Sequence, residues 1–176
     1  MDPVTVETTI AHPREEVFAY LEDIANHPEF CDHYLVDWRL TREDTVGVGA
    51  GARFRFKQRF NRFAWADVTF VEVEHSRRII EAGRAGKFNR IRTLGIYELE
   101  PGATGTTRVR FTFETQPRKL SDRLLESFGA RGRLKRRMRK ALLRLRDILE
   151  EGERRGTRAT IAGGPRKPAT GAPLRG

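Results

Sequence analysis

Residues 134–149 read LKRRMRKALLRLRDIL. Advancing about 100° per residue from Leu134, Met138, Ala141, Leu142, Leu145, Ile148 and Leu149 gather in a stripe roughly 120° wide. Lys135, Arg136, Arg137, Arg139, Lys140, Arg144 and Arg146 fall outside it, and Leu143 alone among the apolar residues points into the charged side. The pattern predicts one long amphipathic helix whose apolar stripe has to be covered by a second layer.

That cover lies upstream. From Leu35 to Gln116 the chain reads as strand. Phe54, Phe56 and Phe60 alternate with Arg53, Arg55, Lys57 and Arg59, while Val109, Phe111 and Phe113 alternate with Arg108, Arg110, Thr112 and Glu114. Further strands are predicted over residues 63–74, 77–83 and 91–100, separated by His75-Ser76, by Gly86-Lys87 and by the PGATG run at 101–105. Connections this short predict an antiparallel meander. Ahead of it, Val4, Val6, Thr8 and Ile10 alternate with polar residues as a first strand. Pro13, Glu15 and Glu16 then open a short helix carrying Val17, Phe18, Leu21 and Ile24 on one side, and one or two more helical turns span residues 26–34. Leu120, Leu124, Leu125 and Phe128 form a further short apolar helical face, interrupted at Gly129 and Gly132. The order predicts an α+β domain over residues 1–155, in which a curved sheet of about seven strands wraps around the long C-terminal helix and two short helices plug one end. Residues 156–176 lack periodicity and read as a disordered basic Gly/Pro-rich tail.

Composition sets the outer bounds. The 176 residues suit one domain with a core of its own. The net charge of +10 is lopsided, with 16 basic against 18 acidic residues before position 117 and 18 against 6 from there on. The longest stretch without a charged residue, Thr45 to Ala52, is eight residues, far short of the ~20 that a membrane-spanning helix needs. Met1-Asp2-Pro3-Val4 has no basic run leading into an apolar one, so a cytoplasmic protein is expected. A lone cysteine, Cys31, excludes an internal disulfide and a multi-cysteine zinc site.

Pro13-x-x-x-Val17-Phe18-Ala19-Tyr20-Leu21-Glu22-Asp23, followed by Asn26-His27-Pro28-Glu29-Phe30, resembles the opening of the START-like superfamily in its polyketide cyclase/dehydrase and coenzyme Q-binding branch. Gly47-Val48-Gly49-Ala50-Gly51-Ala52-Arg53-Phe54-Arg55-Phe56 is similar to the glycine turn entering that family's third strand. The resemblance implies the helix-grip fold with an internal hydrophobic cavity between sheet and helix. It implies less about chemistry, because one fold serves many functions.

The Gly47-x-Gly49-x-x-Ala52 spacing nominally fits a dinucleotide fingerprint, but a strand follows it where that fingerprint needs a helix, so it reads as a tight turn. His27, Cys31, Asp32 and His33 are close in sequence yet diverge on a helix, and no metal or cofactor is expected. None of Ser76, Ser121 and Ser127 sits in a nucleophile elbow. On the strands, Phe54, Phe56, Trp65, Tyr97, Phe111 and Phe113 are the expected cavity lining, joined from the helix by Met138, Leu142 and Leu145. Asp67 and Tyr97 are the acid–base pair if the protein is an enzyme. The stronger reading for Asp67 is an outward carboxylate paired with a neighbouring Arg. Arg136, Arg139 and Lys140 form an anionic-surface site.

Three functions follow as expectations. The leading one is noncatalytic binding or transport of a lipid-, quinone- or polyketide-like molecule in the cavity. A polyketide cyclase or dehydratase using that cavity is the first alternative, and ribosome or RNA association through the basic helix is the second, with weak contact to an anionic membrane attached to the same face. A void of ~300 Å³ or more favours binding, and a filled centre favours a surface function.

Overall fold

The computed structural model describes residues 2–57, 65–116, 130–152 and 159–161. Strand β1 (Val4–Ile10) leads into helix α1 (Arg14–Glu22), a 3-10 turn at Ile24–Asn26 and the short helix α2 (His27–Cys31). Strands β2 (Leu35–Leu40), β3 (Gly51–Phe56), β4 (Trp65–Glu74), β5 (Arg78–Ala85), β6 (Ile91–Pro101) and β7 (Thr107–Gln116) follow, and helix α3 (Ala130–Glu151) comes last. The seven strands pair antiparallel in the order β1-β7-β6-β5-β4-β3-β2, curled into a half-barrel. The expected helix-grip α+β architecture is present.

Local chemistry sets the element ends. The Pro13 carbonyl accepts from the amides of Glu16 and Val17 at 3.1 and 3.2 Å, with both first-turn glutamates at the positive end of α1. Asp23 caps the 3-10 turn through its carboxylate, which accepts from the Ala25 amide at 3.1 Å. The turn into β3 needs left-handed backbone at Gly47 and Gly49, with φ of 76° and 92°, and this is the conformational use of those glycines. Helix α3 starts at Ala130, ahead of Gly132, where the sequence places its beginning near Leu134. Arg131 ties that extra turn to the Pro3 carbonyl at 3.2 Å and to Asp2 at 3.8 Å.

Met138, Ala141, Leu142, Leu145 and Ile148 are buried on the inner side of α3, against Val4, Val6 and Ile10 of β1 and the rest of the inward face. Register assembles that face in rows. Phe70, Glu81, Gly95, Phe113 and Val4 stand side by side on five successive strands, and Val73, Ile79, Tyr97, Phe111 and Val6 form the next row. Two bulges break simple alternation. One between Val36 and Arg39, with Asp37 at a φ of 57°, brings Trp38 inward together with Leu35 and Leu40. The other lies between Phe70 and Glu72 of β4.

Part of the stretch read as a tail is seated on the sheet. The Thr160 carbonyl accepts from the Leu40 amide at 3.0 Å, the Ala159 amide donates to the Ala25 carbonyl at 3.2 Å, and Ala159 is buried. Residues 159–161 therefore lie along the edge of β2, satisfying backbone groups that an edge strand leaves open. Phe60, Phe63, Leu120, Leu124, Leu125 and Phe128, and tail residues 156–158 and 162–176, lie outside the described residues.

Arg144 clasps α3 onto α2. Its guanidinium donates to the Asp32 carboxylate, to the Glu29 carbonyl at 3.1 Å and to His33 Nδ1 at 3.3 Å. The His33 Nε2–H in turn donates to the Arg137 carbonyl at 3.0 Å. Charge-assisted bonds in a half-buried setting are worth about 1.5–3 kcal/mol each, with losses inside one network less than additive. Arg144→Leu is expected to lower stability by about 1–3 kcal/mol in urea titrations, whereas Arg139→Leu, on the exposed side of the same helix, is expected to change it by less than about 0.5 kcal/mol.

Candidate functional site

Helix α2 plugs the curled sheet through one ring. The His27 imidazole is buried with ring centroids of Trp38 at 6.3 Å, Phe70 at 5.6 Å and Tyr97 at 5.7 Å, so it touches β2, β4 and β6 at once. Its Nε2–H donates to the Leu21 carbonyl at 2.8 Å. Burial pulls its pKa down to about 4, so the ring is neutral at ordinary pH.

Above this plug lies a partly open pocket. The edge wall is Trp38, Phe54 and Phe56, with the Trp38 and Phe54 centroids 4.5 Å apart. The other wall is Tyr97, Phe111 and Phe113, with Tyr97 stacked on Phe111 at 4.3 Å. Cys31, Tyr34 and Leu35 close one side, and Leu134 and Met138 of α3 close another. The cavity measures about 40 Å³, room for about three waters at the roughly 10–15 Å³ each requires. It falls well short of the ~300 Å³ set above as favouring binding, so volume alone does not support a ligand site. The side chains best able to yield to a larger occupant are Leu134 and the unbranched Met138.

Glu81 of β5 projects into this pocket, and sequence reasoning missed it. Its side chain lies across Gly95 of the neighbouring strand, where an added Cβ would stand 2.3 Å from Glu81 Oε1 and 2.6 Å from its Cγ. Gly95 is thus the space the carboxyl occupies. Among the described residues the Glu81 carboxyl has no hydrogen-bond or ion-pair partner, and neither has the Tyr97 hydroxyl. Desolvation alone pushes the Glu81 pKa up to about 7. Burial first, and then the nearby Glu81, push the Tyr97 phenol well above its usual range. Burial likewise raises the Cys31 thiol and the Tyr34 phenol, which face each other at 3.8 Å.

The remaining sequence-derived positions fall elsewhere. Phe54, Phe56, Tyr97, Phe111, Phe113 and Met138 border the pocket. Leu142 and Leu145 do not. They are buried further along α3 within the core, because the pocket meets only the first turns of that helix. Trp65 and Asp67 are on the opposite face of β4, since Ala66, Val68 and Phe70 are the inward residues there. The Trp65 ring stacks under the Arg53 guanidinium at 5.4 Å, and Asp67 pairs with Arg53 at 3.5 Å. Asp67 borders a wide depression of about 490 Å³ shared with Thr69, Ala82, Arg84, Arg92 and Leu94, more than ten times roomier than the pocket and somewhat more open. It cannot meet Tyr97; the carboxyl that shares Tyr97's pocket is Glu81. Arg136, Arg139 and Lys140 are exposed on the outer side of α3, away from the pocket. Of the four closely spaced metal-type donors in the sequence, His27 is engaged by Leu21, Asp32 and His33 by Arg144, and Cys31 by Tyr34.

A carboxyl held in this state destabilises the fold at neutral pH. With its pKa raised from near 4.5 to about 7, the native state holds a proton that the unfolded chain has released between those values. The stability contributed at this position therefore falls as pH rises through that window and levels off above it. Glu81→Gln is expected to raise stability by on the order of 2–3 kcal/mol above pH 7 and to have little effect below pH 4.5, read from thermal or urea unfolding across pH.

No curated protein matches the chain. Among solved structures, a Thermus thermophilus protein superposes with a TM-score of 0.64 at 14% identity, covering 86% of this chain and 99% of that one. A truncated norcoclaurine synthase from Thalictrum flavum gives 0.65 at 11% identity, covering 86% and 95%, and a Deinococcus radiodurans protein gives 0.58 at 17%, covering 86% and 99%. Identities this low establish the shared fold and nothing finer. The family described as polyketide cyclase / dehydrase and lipid transport matches residues 1–150, and the chain belongs to that family.

Proposed function

We propose that the protein binds a hydrophobic small molecule between its sheet and α3, with the polar end of the ligand at Glu81 and Tyr97. One observation carries this reading: an aromatic pocket is lined by a carboxyl and a hydroxyl that have no partner among the described residues. Unpaired polar groups inside a protein cost free energy, and a ligand that supplies their hydrogen bonds recovers it. The family's description includes lipid transport, which agrees with an apolar cargo. Because the cavity measures only about 40 Å³, binding involves displacement of Met138 or Leu134, and affinity is reduced by the work of opening.

Met138→Ala, which deletes the most readily displaced wall, is expected to lower stability by about 2–5 kcal/mol and to tighten binding of neutral apolar probes. Trp38 reports occupancy once Trp65, on the far face of β4, is replaced by Phe. A neutral apolar probe that leaves Trp38 emission unchanged in both the Trp65→Phe and the Trp65→Phe/Met138→Ala proteins, together with native mass spectra showing no co-purified small molecule, overturns the reading.

A second reading, an enzyme of the cyclase or dehydratase kind, is favoured by the placement of Glu81 with Tyr97. A carboxyl that titrates near neutrality beside a phenol that remains protonated is a workable base and hydrogen-bond donor for a carbonyl substrate. On a poly-β-ketone thioester, this reading expects Glu81→Gln and Tyr97→Phe each to slow turnover by about 10²–10⁴-fold. Asp67→Asn is expected to leave turnover unchanged, because Asp67 faces away from the pocket.

A further inference from the structure

From the charge pattern inside the pocket we infer that its preferred occupant is an apolar molecule ending in a protonated amine, which Glu81 and Tyr97 grip beneath a cage of aromatic rings, and that carboxylate ligands are excluded. The inference rests on the ligand-binding reading above and names the class of ligand.

The lining contains one acidic side chain and, among the described residues, no Lys or Arg. The guanidinium of Arg144, on the same helix as Met138, is engaged by Asp32, His33 and the Glu29 carbonyl. His27 cannot supply a positive charge, since its ring is neutral and its Nε2–H is committed to Leu21. A fatty acid or other carboxylate entering here would meet a second carboxyl with no cation between them, the arrangement in which like charges cannot both remain ionised. An ammonium group meets the reverse. The Glu81 carboxylate and the Tyr97 hydroxyl oxygen both accept hydrogen bonds, and Trp38, Phe54, Phe111 and Phe113 bound the remaining space with rings whose π-faces attract cations. Burying an ion pair is favourable only when the remaining donors are satisfied, and the three N–H bonds of an ammonium find acceptors in the carboxylate and the phenol. The size agrees as well. About 40 Å³ admits a head group of a few heavy atoms, with the apolar remainder passing toward Met138 and Leu134.

Glu81 is also the one described lining group whose charge changes between pH 5 and 9. On α2, His27 is already neutral and the Cys31 thiol is pushed up by burial. Tyr34, after α2, and Tyr97, on β6, are raised likewise. Strands β3 and β7 contribute only Phe54, Phe56, Phe111 and Phe113, and α3 contributes only Leu134 and Met138. An alkylamine stays protonated across this range. Its binding should therefore strengthen as pH rises through the titration of Glu81, near 7, while a neutral ligand shows no such trend.

The test compares pentylamine, pentanol and hexanoate, which share a five-carbon tail and differ in head group, by calorimetry on the full chain and on its Met138→Ala and Glu81→Gln variants. At pH 8 the amine is expected to bind at least about tenfold more tightly than hexanoate, and to weaken by about tenfold or more at pH 5.5 while pentanol does not change. Glu81→Gln is expected to abolish both the preference and the pH trend. Hexanoate binding as tightly as pentylamine, or a preference for amine that survives Glu81→Gln, overturns the inference. Pentanol binding without amine binding overturns it and leaves the ligand-binding reading standing. If none of the three binds to the wild type or to Met138→Ala, both fall. The pH series on the unsubstituted protein keeps the question decidable even if a variant fails to fold.

Discussion

A neutral imidazole holds the working part of this molecule together. The sheet curls far enough for Trp38 of β2, Phe70 of β4 and Tyr97 of β6 to reach the ring of His27, and the Leu21 carbonyl fixes the direction of its Nε2–H. Were that ring charged, its desolvation would work against the closure. At a pKa of about 4 the ring is instead an aromatic plug with a single polar commitment. The pocket floor, the approach of both aromatic walls and the seating of α2 all follow from that contact. On the opposite side of α2, Arg144 holds the helix to α3, so the plug is fixed to the sheet by aromatic packing and to the long helix by charge.

Glu81 is the polar member of its row on the inward face of the sheet. Its row neighbours Phe70 and Phe113 are apolar, and Gly95 gives up its own side chain to leave room for the carboxyl. Sites where local energetics are poor without an evident structural gain are where function is most often found. Membership in a family described by cyclase, dehydrase and lipid-transport roles agrees with a working interior, so geometry and kinship direct attention to one pocket.

Much of this was legible before any coordinates. The stripe on residues 134–149 and the alternation in Arg53–Phe56 and Arg108–Phe113 specified a helix and strands with one apolar face each, and the sheet took the form those faces demand. Period-2 counting failed where the ladder slips. Within β4, Ala66, Val68 and Phe70 face inward and so does Val73, which has the opposite parity, because a bulge between Phe70 and Glu72 resets the count. Counting Trp65 as cavity lining therefore turned it inward when it belongs outside. The bulge at Asp37 concealed Trp38 in the same way. Glu81 was obscured by Ile79-Ile80, two adjacent apolar residues that leave the face of β5 ambiguous. Its parity with Ile79, and the presence of Gly95 in the middle of a strand, were the available signals, but only the cross-strand register joins them.

The outside and inside of this protein have opposite electrostatic character, and the two act on different steps of binding. The net charge of +10 resides in the C-terminal third, with Arg136, Arg139 and Lys140 on the outer side of α3, whereas the pocket beneath that helix carries a single acidic group among its described lining. A cation approaching the surface is repelled, but at physiological salt the repulsion decays over about 8 Å and falls mainly on the rate of encounter. Once inside, the ammonium is shielded from that field by the apolar body of α3 and stands close to Glu81 in a medium where charge interactions are far stronger than in water. Selection is then governed by escape rather than arrival. A basic exterior and a cation-selective interior are compatible, provided the two charge sets are separated by an apolar layer such as the one that Leu134 and Met138 form on the helix.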